Sequence, residues 1–214
     1  MAGAAGITAV KSYRDTKVQH VTAQSQQVAG KAAVGGPFEL IDYDGKPFSD
    51  KDLRGEFALL YFGFTFCPDI CPDELEKVSQ AIDLVEKKVG VQIVPVFISV
   101  DPERDTPAKI KSYVKEFHPR MLGLTGSLED VKRTSKAYRV YFNKTTDNSK
   151  DYLVDHSIIH YLIDPEGEFV TFYAKSYTAE QMADSMAEHV ANWKAEHPSY
   201  HEGQEIKLPP KPRA

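Results

Sequence analysis

Apolar positions recur along this chain with two different periods, and the switches between them mark out its elements. Phe57-Ala58-Leu59-Leu60-Tyr61-Phe62-Gly63 and the stretch from Val91 to Val100 are nearly continuous apolar runs, the second rich in β-branched residues. Runs of this length and makeup fit strands covered on both faces, as in a parallel sheet. Pro95 within the second run predicts a bulge or the start of the strand, because proline donates nothing to a ladder. Between the two runs, Leu75, Val78, Ile82, Val85 and Val89 recur at alternating steps of three and four, which is one face of a helix. Pro72 suits that helix's first turn and predicts a start near Asp73.

The remaining elements follow from caps and turn residues. Asp42-Tyr43-Asp44-Gly45-Lys46 between Phe38 to Ile41 and Pro47-Phe48 reads as a tight N-terminal β-hairpin. Thr106-Pro107 opens a helix carrying Ile110, Tyr113, Val114 and Phe117. Met121 to Leu124 is a short strand, and Ser127 caps a helix to about Tyr138. The runs His156 to Ile163 and Glu168 to Tyr173 form a hairpin around Asp164-Pro165-Glu166-Gly167. Thr178-Ala179-Glu180-Gln181 is a capping box opening a last helix with Met182, Met186, Val190 and Trp193 inward. The order predicts an α/β domain with a mixed sheet and helices on both faces, preceded by the N-terminal β-hairpin.

That domain is expected over 36–196. Residues 1–35 read as a polar linker ending at Gly35-Gly36-Pro37, 143–154 as a polar insertion, and 197–214, polar and proline-rich, as a disordered tail. Residues 1–10 are small and apolar, half the length a membrane span needs, and by themselves read as an unstructured start. The 214 residues, 42% of them hydrophobic, suffice for one good core. With 31 acidic against 26 basic residues, a net charge of -5 and no basic run longer than two, nucleic acid is not an expected partner.

The two cysteines are too few for a disulfide framework, and they sit together in Phe66-Cys67-Pro68-Asp69-Ile70-Cys71-Pro72, directly after the first buried run. Residues i and i+4 share one face of a helical turn, with Cβ atoms about 5 to 6 Å apart. Two sulfurs so placed can converge on a metal ion or, with backbone adjustment, close a disulfide. A purely structural staple is a poor explanation, since so short a loop removes little unfolded-state entropy. Cys71 falls near a helix N-terminus, which favours a thiolate, while Asp69, Asp73 and Glu74 oppose it. A strand, a two-cysteine turn and a helix in this order resemble the thioredoxin fold.

Four segments together resemble the Sco family: Tyr61 to Pro72, Ser99 to Thr106, Tyr138 to Tyr141, and Val154 to Ile159. The resemblance runs from about Gly35 to about Val190. It implies a thioredoxin-like domain that binds copper, as Cu(I) or Cu(II), through Cys67, Cys71 and His156. It further implies a role in maturing the dinuclear copper site of cytochrome c oxidase subunit II, with an upstream copper donor. Eukaryotic members are anchored in the mitochondrial inner membrane with this domain in the intermembrane space, so residues 1–10 would be the end of an anchor. The donor chemistry is compatible: thiolates favour Cu(I), and an imidazole lets the same site hold Cu(II). Of the seven histidines, only His156 and His160 lie in the segment expected to approach the thiols, and His156 begins it. Asp155 is a candidate acceptor for the His156 ring. Turn and cap duty accounts for Asp101 to Asp105 at this stage.

Two other functions use the same thiols. One is a redox-active thiol–disulfide oxidoreductase, keeping the oxidase's copper-site cysteines reduced or acting as a thiol peroxidase; the latter is disfavoured because no proline stands where a peroxiredoxin-like motif needs it upstream of Cys67. The other is a metal-free redox sensor, which leaves His156 without a role.

Overall fold

The computed structural model describes residues 34–144 and 152–198. Most of the expected linker (to 33), the insertion (145–151) and the tail (from 199) lie outside the described residues. The strands are β1 (Glu39–Asp42), β2 (Pro47–Ser49), β3 (Phe57–Gly63), β4 (Ile93–Ser99), β5 (Leu122–Thr125), β6 (Phe142–Lys144), β7 (Val154–His156), β8 (Ile159–Ile163) and β9 (Phe169–Ala174). The helices are α1 (Ile70–Val89), α2 (Pro107–Phe117), α3 (Leu128–Ala137) and α4 (Ala179–Glu196). Seven strands form one mixed sheet in the order β2-β1-β5-β4-β3-β8-β9, the thioredoxin-like arrangement expected, and β6 pairs with β7 in a separate ladder. Among the described residues no helix is long and apolar enough to cross a membrane.

Every residue of β3 is buried, since β3 runs parallel to β4 on one side and antiparallel to β8 on the other. Its alternation sends side chains into two layers. Phe57 meets Trp193 of α4 edge-on at 5.6 Å and Tyr61 reaches Cys71 of α1, while Phe62 faces Tyr138 beyond α3 at 5.5 Å. Helices therefore cover both faces, as the sequence predicts.

Three expectations are refined. Pro95 makes no bulge: it pairs in register with Leu59, and β5 joins β4 only from Val96, so the proline stands where β4 has a neighbour on one side. Helix α1 begins at Ile70, earlier than Asp73, so Cys71 and Pro72 both occupy its first turn, where a missing N–H leaves no bond unmade. It ends at Gly90, whose φ of 69° is left-handed and whose N–H closes on Glu86 O at 2.9 Å.

The largest difference concerns His156, which does not begin the hairpin strand. Arg139, at φ 55°, turns the chain after α3, and Tyr141 and Ser157 then exchange two bonds, Ser157 N–H to Tyr141 O at 3.0 Å and Tyr141 N–H to Ser157 Oγ at 3.1 Å. These hold β7 against β6, with Phe142 opposite His156, while β8 proper starts at Ile159. His156 thus lies outside the main sheet, on a short ladder that crosses the end of β3.

Candidate metal centre

The dithiol turn is built on the close of β3. Gly63 ends that strand, and a Cβ there would lie 2.9 Å from Cys71 Sγ, 2.9 Å from Tyr61 Cε1 and 3.0 Å from Phe97 Cε2. Only hydrogen fits, so the glycine lets α1 press its first turn onto the sheet. Cys71 is consequently fully buried, and Cys67, 8% exposed, forms the lip. The Cys67 N–H closes a turn on Phe64 O at 3.2 Å. Thr65, between them, is clamped by Asp105, which accepts its N–H at 3.0 Å and its hydroxyl at 2.6 Å, and the Ser99 hydroxyl at 2.6 Å. The buried Asp105 is thus part of what shapes the turn, a role that turn and cap chemistry alone did not suggest.

The two sulfurs differ. The backbone N–H of Cys71, one of the unpaired donors of the helix's first turn, points at Cys67 Sγ at 3.4 Å. The hydrogen bond from the Cys71 side chain, and with it those from the backbone of Cys71 and Asp69, outweigh burial and bring Cys67 down to about 4. Cys71 moves the other way, pushed up by its bond to Cys67 and by burial against the opposing Tyr61 hydroxyl. The two thiols therefore titrate as a coupled pair, with the first negative charge favoured on the Cys67 side. The helix N-terminus, whose effect on Cys71 the sequence left balanced against Asp69, Asp73 and Glu74, directs its Cys71 N–H at Cys67.

His156 Nε2 stands 3.3 Å from Cys71 Sγ, and Nδ1 stands 3.1 Å from Ser157 O. A carbonyl only accepts, so Nδ1 carries the proton and Nε2 turns its lone pair to the sulfur. Ser157 O takes the orienting role considered for Asp155, whose side chain is exposed. The ring is held edge-on by Phe64 at 5.8 Å and Tyr61 at 6.0 Å. One donor atom from each of Cys67, Cys71 and His156 lies within 4.8 Å of the others. Cys67 and His156 open into a shallow cavity of about 260 Å³ walled by Phe64, Pro68, Ile70, Val154 and Ile158, with the buried Cys71 behind them. Two soft sulfurs and one nitrogen, with a side open to solvent, suit a thiophilic ion such as Cu(I) and leave room for exchange.

His160 does not join this group. It is completely buried on β8 opposite Tyr61, stacked on that ring at 4.7 Å, and Nε2 lies 2.7 Å from Glu74 Oε2. Lys77 Nζ reaches the same carboxylate at 2.8 Å. Burial pushes the His160 imidazole below its ordinary value; Glu74 is held low although burial opposes it, because the bonds from His160 and Lys77 prevail. A neutral ring donating from Nε2 suits a buried Nδ1 without a hydrogen-bond partner, since a charged ring would bury a second donor.

The unfolded chain takes up the His160 proton more readily than the folded one. The stability linked to this residue is therefore complete above the ordinary histidine value of 6.5 and is lost as pH falls below it. His118 and His189 are shifted in the same direction, so the informative quantity is a difference. Thermal melts of the reduced, metal-free protein between pH 7.5 and 5 are expected to fall more steeply for wild type than for His160→Gln, which keeps a donor to Glu74. Parallel slopes would remove His160 from the account.

Similarity to known proteins agrees with this architecture. The SCO1/SenC family model matches residues 26–191. The mitochondrial SCO1 homolog 1 of Arabidopsis thaliana is 49% identical over 86% of this chain, and mitochondrial SCO1 of Saccharomyces cerevisiae is 47% identical over 80%. The chain spans 55% and 59% of the lengths of those relatives. Among solved structures, copper-bound Arabidopsis thaliana ScoI is 53% identical with a TM-score of 0.73, covering 75% of this chain and 99% of its own. Copper-bound yeast Sco1 is 45% identical with a TM-score of 0.72, covering 79% and 95%. With a family match across nearly all of the described domain, and relatives of this identity sharing its fold, the chain belongs to the SCO1/SenC family.

Proposed function

We propose that this protein is a copper carrier that binds one ion through Cys67, Cys71 and His156 and delivers it during assembly of the dinuclear copper site of cytochrome c oxidase subunit II. The convergence of two sulfurs and one imidazole nitrogen within 4.8 Å carries this reading. The Cys67 thiolate at the lip makes first contact with incoming Cu(I), the Cys71 thiol gives up its proton as it binds, and the Nε2 lone pair completes the set. The same exposure lets a partner's thiols replace these donors one at a time, for loading by an upstream donor and for release. The relatives are named as mitochondrial proteins, and the reading places this domain in the intermembrane space, anchored to the inner membrane.

Copper uptake and redox state are linked, because a disulfide between Cys67 and Cys71 removes two ligands. At a free copper level about 1,000-fold above the dissociation constant, binding stabilises the dithiol by about 4 kcal/mol, roughly 90 mV for a two-electron couple. Anaerobic titration of the reduced protein is expected to saturate at one Cu(I) per chain, and the loaded protein is expected to resist oxidation by that margin. Negligible copper affinity together with metal-free turnover of a partner's disulfide would replace the carrier by a thiol–disulfide reductase.

A further inference from the structure

Three segments distant in sequence meet at Arg104. Its Nε bonds Asp101 Oδ2 at 2.6 Å, and Tyr152 donates its hydroxyl to the other oxygen of that carboxylate at 2.5 Å. The guanidinium lies 3.6 Å from the centre of the Tyr152 ring, 4.7 Å from that of Phe66 and 5.9 Å from that of Phe64. Phe64 and Phe66 belong to the dithiol turn; Tyr152 stands two residues before β7, the strand that ends in His156. Lys144, at the end of β6, pairs with Glu103 and lies 4.8 Å over the same Tyr152 ring. The loop after β4 therefore grips the turn carrying both sulfurs and both strands of the ladder carrying the imidazole, at the end where Lys144 pairs with Val154.

The main sheet sets where β3 and α1 place the cysteines, but among the described residues β7 pairs with β6 and not with a strand of that sheet. The short link from His156 to Ile159 of β8 ties one side of the ladder to the sheet, and side-chain contacts at its other end supply the rest of the approach to the sulfurs. Resting on the copper-carrier reading, we propose that Arg104, held by Asp101 and stacked on Tyr152, is the positioning residue that docks the His156 segment against the dithiol turn. A planar guanidinium can stack on Tyr152 and Phe66 while bonding Asp101 from its edge, which a lysine ammonium cannot do. Arg104 acts through the rings on either side.

The test separates positioning from general stability and from copper binding itself. In metal-free, reduced protein, NMR contacts between the His156 and Phe64 rings are expected in wild type and are expected to be lost in Arg104→Gln. Their persistence in the variant would overturn the proposal whatever copper does. Chelator competition is expected to show Cu(I) affinity lowered about 10- to 100-fold in Arg104→Gln, the range for partners that orient metal ligands, with no rescue in Arg104→Lys. Tyr152→Phe, which keeps the stacked ring, is expected to lose less than Tyr152→Leu. In a His156→Ala background Arg104→Gln should add nothing further, because the ligand it positions is gone. An equal loss in both backgrounds marks general loosening and overturns the proposal. Wild type with intact ring contacts but no copper uptake would sink the carrier reading and leave the positioning role standing.

Discussion

Serine in place of Cys67 is expected to abolish stoichiometric Cu(I) uptake, with an affinity loss well beyond the roughly 100-fold typical of an outer partner's removal. The substitution exchanges the sulfur on which the pair's charge is favoured for a hydroxyl, a hard donor that stays protonated at neutral pH. Cys71→Ser should be as damaging, since the remaining pair of donors cannot enclose the ion. His156→Ala should cost Cu(I) at least the roughly 10- to 100-fold expected from displacing the ring, less than either serine because two thiolates remain, and should be severe for Cu(II), which draws more on the imidazole. Anaerobic chelator competition for Cu(I) and thiolate charge-transfer absorption for Cu(II) read the two effects separately. Cys67→Ser binding one Cu(I) at wild-type affinity would eliminate this site.

Gly63→Ala is expected to damage fold and site together. The added methyl meets Cys71 Sγ, the Tyr61 ring and the Phe97 ring at 2.9 to 3.0 Å, closer than real Cβ contacts come. All three neighbours are fully or almost fully buried, so the strain has no exposed side chain to displace. Overpacking of this kind costs about 1 to 3 kcal/mol, visible as a lower denaturant midpoint at unchanged slope. Relief that lifts the first turn of α1 carries Cys71 away from His156 Nε2, so Cu(I) affinity should fall as well. A variant within about 0.5 kcal/mol of wild type, as for an ordinary surface change, would show that the contact is not tight in solution.

Much of the domain was legible because its signals are local. The three- and four-residue spacing from Leu75 to Val89, the Thr106-Pro107 start and the Thr178 to Gln181 capping box each specify an element within a few residues, and each is observed. The dithiol was legible for the same reason: a buried run, two cysteines four apart and a proline in the first helical turn form one continuous stretch. Pro95 misled because its effect depends on whether a neighbouring strand lies alongside, and that neighbour, β5, is supplied from more than twenty residues downstream. His156 was read as the opening of a hairpin because the run to Ile163 is unbroken in its apolar character; the exchange of bonds between Tyr141 and Ser157 splits it, and nothing in the run announces a partner sixteen residues earlier.

The sequence by itself therefore determined the helices and the strands of the main sheet, their order and the presence of a paired-thiol turn at the mouth of a helix, since caps, periods and prolines act between neighbours along the chain, while the β6–β7 ladder at the edges of the expected 143–154 insertion escaped it. The tertiary structure decided on which sulfur the pair's charge is favoured, that Gly63 must lack a side chain, that Asp105 clamps a threonine 40 residues before it, and that an imidazole 85 residues from Cys71 turns Nε2 toward that sulfur while His160 is consumed by Glu74. Those outcomes depend on register and on how far one layer can approach another, which no window of sequence contains.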